Sequence, residues 1–151
     1  MASPSDTTDY IAGFISNIQT VIANYKDFIG YKILETNDDA FLPLYPAITI
    51  EYSSSTEEWK SMPKRKTIIA NFDITYYYGS LSDKGVRRGV RTGLSKLANC
   101  LRERWDMNGY CPDLGTEILS VIPYVLASGD DVVAGGVVSL QCRKIISVTL
   151  S

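Results

Sequence analysis

Lys84, Arg87, Arg88, Arg91 and Arg102 occupy a stretch of this 151-residue chain that holds no acid between Lys84 and Arg102. A guanidinium carries a fixed charge and a planar fork of donors, so a row of them selects carboxylates or phosphates. A second polar set runs Glu57, Glu58, Trp59, Lys60, then Lys64, Arg65 and Lys66. Paired carboxylates at Asp38–Asp39, Glu57–Glu58 and Asp130–Asp131 would do acid–base work or hold calcium only if the fold converged them. Their setting favours solvated turns instead. The chain has no histidine, which removes the usual base for a serine or cysteine nucleophile and the usual zinc ligand sets. Cys100, Cys111 and Cys142 are odd in number with no CxxC pair, so neither a disulfide framework nor a metal knuckle is indicated, and a reducing compartment fits best. No GxGxxG or GxxxxGK loop is present. No enzyme, cofactor or metal is expected.

The basic residues need an element to carry them, and Ser82 to Asp106 supplies a helix. At about 100° per residue, Val86, Val90, Leu94, Leu97, Leu101 and Trp105 form one apolar stripe, which predicts burial of that face. The bases lie on one side of the stripe, and Gly85, Gly89 and Gly93 lie on the other. Each interior glycine costs a helix roughly 1 kcal/mol relative to alanine, so three in register predict the close approach of another backbone. Ser82 or Asp83 suits the cap, and Asn108 with Gly109 the end.

Before it, Asp6 or Thr7 caps a helix to about Asp27 or Phe28, with Ile11, Phe14, Ile15, Ile18, Val21, Ile22 and Tyr25 recurring at three and four. Gly30, then Asn37 to Asp39, Pro43 and Pro46, read as an irregular connection. Ala47 to Tyr52 alternates as a strand. Residues 53–66 lack periodicity and read as a long hairpin loop, with an exposed Trp59. Ile68, Ala70, Phe72, Ile74, Tyr76 and Tyr78 share one strand face. Thr116 to Leu126 and Val132 to Leu150 form a closing hairpin through Ser128–Asp131. In it Pro123 favours an edge, Gly135 with Gly136 suggests a bend, and Lys144 alone breaks the apolar face. The fold class is α+β: an antiparallel sheet of about four strands with two main helices on one face, in the order α-β-β-α-β-β. One domain spans 1–151, with residues 1–5 loose.

Charge is divided along the chain. Residues 1–63 hold 9 acids and 3 bases, 64–106 hold 4 and 10, and 107–151 hold 4 and 2. The segments therefore carry −6, +6 and −2, a dipolar pattern suited to docking on copies of the same chain or on a polyanion. The amino terminus lacks a signal pattern, and no apolar run approaches the roughly 18 residues that spanning needs. A soluble intracellular protein with no membrane partner is expected.

The order of elements, the chain length and the closing stretch Val137 to Val148 resemble the tail terminator and tail completion proteins of tailed bacteriophages, over roughly Thr7 to Val148. That resemblance implies a virion structural protein assembled in the host cytoplasm and residing in the tail or neck. It implies a homo-oligomeric ring, commonly a hexamer, that caps the tail tube and presents a surface to neck or head-completion proteins, with sheath and non-specific lumen DNA as further contacts. Under it, Lys84, Arg87, Arg88, Arg91 and Arg102 are candidate assembly or DNA-lumen contacts. Glu57, Glu58, Trp59, Lys60, Lys64, Arg65 and Lys66 form a candidate loop toward a neighbour or partner ring. Another head-to-tail connector or head-completion component is the nearest alternative. A different class is a nucleic-acid-binding module, with Lys64, Arg65, Lys66 and the basic helix face on phosphates and Tyr76, Tyr77 and Tyr78 stacking on bases.

Overall fold

The computed structural model describes residues 9–35, 47–59, 65–80, 86–128 and 131–147. Lys60, Lys64 and Lys84 lie outside them, as do the expected caps Asp6, Thr7, Ser82 and Asp83, the pair Asp38–Asp39, and Gly129 with Asp130.

Helix α1 spans Tyr10–Ala23, and its start is set by Asp9, whose carboxylate accepts from the Ala12 amide at 2.9 Å. It ends at Ala23, short of the expected Asp27, because Tyr25 and Phe28 turn back through backbone bonds to close a compact corner. Phe14, Ile15, Ile18, Val21 and Ile22 are buried, the one-sided pattern that a helix on a sheet requires.

The sheet is built from β1 (Lys32–Glu35), β2 (Ala47–Trp59), β3 (Arg65–Ser80), β4 (Thr116–Ser128) and β5 (Asp131–Ser147), in the spatial order β1-β2-β3-β5-β4. Strands β2 to β5 make the expected four-stranded antiparallel sheet, with Phe72 opposite Leu140 and Ile74 between Ile50 and Val138. The short β1, inside the predicted irregular connection, adds a parallel edge beside Ala47–Ile50. Helix α2 covers Val86–Glu103, and both helices lie over the same face. Between them and the sheet sit Ile18, Phe72, Leu94, Leu97, Leu101 and Leu140, all buried. Each such side chain contributes on the order of 1.5–3 kcal/mol by leaving water.

The expected hairpin loop over 53–66 is strand instead. Residues Ser54 to Trp59 pair with Asn71 to Lys66 after a register shift between Tyr52 and Ser54. Every side chain from Glu51 to Trp59 is exposed, so there was no buried face to imprint alternation on the sequence. The opposite face of the sheet carries a polar ladder, Ser139 Oγ donating to Asp73 Oδ1 at 3.0 Å and Gln141 Nε2 to Asn71 Oδ1 at 3.2 Å.

Helix α2 stops at Glu103, before the expected Asn108. Met107, Asn108 and Gly109 then take φ of 53°, 56° and 88°, a left-handed turn that costs an L-residue roughly 1–2 kcal/mol. Burial of the Met107 side chain offsets that cost. Trp105 lies past the helix end and is 49% exposed, against the expectation of burial. One edge of its ring covers Gly115, where an added Cβ would fall 2.3 Å from Cε3. Lys144 faces the helices. Its ammonium donates to the Tyr110 carbonyl and stands 4.2 Å from the centre of that ring, so a base out of pattern is satisfied where it lies.

Candidate interaction surfaces

The glycines of α2 do meet a close neighbour, but it is a pair of tyrosine rings and not a backbone. A Cβ at Gly93 would lie 2.4 Å from Tyr76 Cζ, and one at Gly89 would lie 2.2 Å from Tyr78 Cζ. Tyr31 stacks on Tyr76 with centroids 6.4 Å apart and planes 20° apart. Burial, aided by a hydrogen bond with Tyr31, pushes the Tyr76 hydroxyl well above the usual phenol range. The rings and the two glycines line a half-open cleft of about 360 Å³, with Arg88, Thr92 and Lys96 on its rim.

Arg87, Arg88, Arg91 and Arg102 are all exposed. Eleven residues at 1.5 Å put Arg102 roughly 16 Å along the axis from Arg91, and it donates to Asn99 Oδ1 at 3.2 Å. The two ion pairs among the described residues, Lys96–Asp27 at 4.0 Å and Arg143–Glu117 at 3.9 Å, leave out the arginines of α2. Arg87, Arg88 and Arg91 therefore form a basic group at the amino-terminal half of the helix.

Glu57, Glu58, Trp59, Arg65 and Lys66 sit on paired strands, not on a loop. Consecutive strand residues point to opposite faces, so Glu57 and Trp59 share the helix side while Glu58 turns away. The carboxylates of Glu57 and Glu58 are thus not converged for acid–base chemistry. Lys66 stands 4.3 Å from the centre of the Trp59 ring, and Trp59 as a whole residue remains 58% exposed. Lys66 and Tyr78 are twelve positions apart on β3, about 40 Å at 3.3 Å per residue. The two basic sets consequently form separate patches. Tyr76 and Tyr78 face the helix side and Tyr77 the other, with Tyr76 buried, so the three do not make one stacking platform.

A third surface escaped the sequence reading. Strand β4 is one of the two sheet edges, as Pro123 suggested, and a register shift between Ile118 and Ser120 throws Leu119 outward. Leu119 and Ile122 are each 52% exposed and Val121 is 38% exposed. The failed alternation of Leu119 to Pro123 was the available signal. Among the described residues no group of three or more histidine, cysteine or acidic side chains could hold a metal, and no helix is long and apolar enough to cross a membrane. The three thiols are free and buried. Burial raises the pKa of Cys100 to about 12 and of Cys111 to about 11.

A scan against protein-family models finds no match, and no curated protein matches the chain.

Proposed function

We propose that this chain is a structural virion protein, a tail terminator or tail completion subunit that forms a ring on the end of a phage tail tube and joins it to the neck. The observation that carries the reading is the exposed apolar set on edge strand β4, with Val121 opposite Val138 on the helix side, Ile122 opposite Val137 on the other, and Leu119 at the register shift. An uncovered apolar edge invites association, and a monomer ordinarily blunts it with charge. A closed ring also needs a second, different patch on each subunit, and Arg87, Arg88 and Arg91, which have no ion-pair partner among the described residues, supply a candidate.

Native mass measurement and electron microscopy of purified protein and of virions test this. Rings, hexameric by resemblance, and the same rings at the tail end of particles are expected, with purified protein free to remain monomeric until a tube end templates it. A copy number of one per virion, or absence from virions, overturns the proposal.

A second reading, a nucleic-acid contact, is favoured by Arg87, Arg88 and Arg91 standing together without a carboxylate partner among the described residues. It predicts DNA affinity that falls steeply with salt. Rings that form normally with Arg88→Glu but pass or retain DNA poorly would assign the arginines to the lumen.

A further inference from the structure

Two features of opposite character stand at opposite ends of β3. At one end is Trp59, with Glu57 beside it on the same side of the strand. Lys66 covers part of the indole, and more than half of the residue's surface is open to solvent. At the other end is the cleft between α2 and β3, walled by Tyr31, Tyr76 and Tyr78 and rimmed by Arg88 and Lys96. Its aromatic walls offer faces and edges for another flat ring, and its volume of about 360 Å³ has room for an indole. Lys96 is already met by Asp27 at 4.0 Å, whereas Arg88 has no ion-pair partner among the described residues.

An aromatic side chain flanked by a carboxylate thus matches an aromatic cleft flanked by a guanidinium. The roughly 40 Å along the strand between them prevents the two from meeting within one molecule. We propose that Trp59 of one copy seats in the α2–β3 cleft of a second copy, with Glu57 meeting Arg88. The contact is head-to-tail: each copy uses one end to give and the other to receive, the arrangement that closes into a ring when the rotation per copy permits. The inference rests on the ring reading for its biological setting and adds the residues that make the joint. Tryptophan and arginine at the centre of a contact are the types that carry most of an interface's affinity.

Single-cysteine trapping tests it on the full chain. Glu58→Cys and Thr92→Cys both alter exposed positions and leave Trp59 in place, and the native thiols are buried. Mixing the two variants at high protein concentration with a short bis-maleimide should give the 58–92 mixed product well in excess of either self-linked product. Adding Arg88→Glu to the Thr92→Cys chain should lower that yield roughly tenfold, and Glu57→Arg on the partner chain should restore it, as complementary charges across an interface do. A mixed product no more abundant than the self-linked ones overturns the proposal. If wild-type rings are nonetheless seen by native mass and microscopy, the ring reading survives and only this joint is wrong. A mixed product without rings in tails or in solution supports the joint and removes the ring. A labelled oligothymidylate that binds the cleft, is lost with Arg88→Glu and is indifferent to Trp59→Ala, with no excess of mixed product, would make the cleft a nucleic-acid site and overturn the proposal.

Discussion

The half of the sheet beneath the helices and the projecting end beyond them are made of the same strands, β2 and β3, under different rules. Under α1 and α2, Ile48, Ile50, Phe72 and Ile74 are fully buried and every second position is apolar. From Glu51 to Trp59 the same β2 is exposed throughout and keeps its ladder to β3 with a few side-chain contacts across it, among them Tyr52 with Phe72, Asn71 with Ser54 and Lys66 with Trp59. Packing determines the side chains in the first region. In the second the ladder and these cross-strand contacts hold the strand without burial, which leaves much of each side chain open for contacts with something else.

Substitutions of graded severity sharpen or break that contrast. Leu97→Ala removes a fully buried side chain and should cost about 2–5 kcal/mol in a denaturant titration; a loss below about 1 kcal/mol would take Leu97 out of the core. Gly93→Ala must displace the Tyr76 ring, a buried neighbour with little room to move, and should cost about 1–3 kcal/mol by overpacking. Gly89→Ala presses on the half-exposed Tyr78 and should cost less, so an equal loss would contradict the assignment of rigid and yielding walls.

Stability should also fall as pH rises from about 9 toward 11, because burial raises Cys100 to about 12 and Cys111 to about 11 from 9.0. A raised acid holds its proton in the folded state after the unfolded chain has released it, so the contribution is complete below about pH 9 and is lost above it. Burial raises the Cys142 thiol as well, so denaturant midpoints at pH 8 and pH 10.5 measure the drop from all three, and substituting Cys100 and Cys111 by alanine should reduce it while leaving the part that belongs to Cys142. The smallest effect belongs to the projecting end. Trp59→Ala should change monomer stability by no more than about 0.5 kcal/mol, and a larger loss would mean that the indole packs within its own subunit.

Where one face was buried, the sequence was readable. The stripe Val90, Leu94, Leu97 and Leu101 located α2 and its core contacts, and Pro123 placed β4 at an edge. Residues 53–59 read as a loop because every one of them is exposed, so no buried face imposes a period. Short β1 left no pattern long enough to register. The glycine row announced a close approach, but spacing alone does not say whether backbone or ring will fill the notch. The cleft was invisible for the same reason: its walls come from β3, α2 and the corner after α1, segments far apart in sequence. The basic row was legible as a row, and its separation from Arg65 and Lys66 emerged only with the length of β3.

That length has a mechanical consequence. Strand β3 is paired on one side with β2 from Lys66 to Tyr77 and on the other with β5 from Arg65 to Ser80, and antiparallel ladder bonds lie across the strand direction. A pull applied at Trp59 along the strand axis therefore loads the β2–β3 ladder in shear, so that many bonds share the force at once. A pull across the axis would open the same ladder one bond at a time from its tip. The projecting end is stiff along its length and weak to peeling, so tension in line with the strands is the direction of load it resists best.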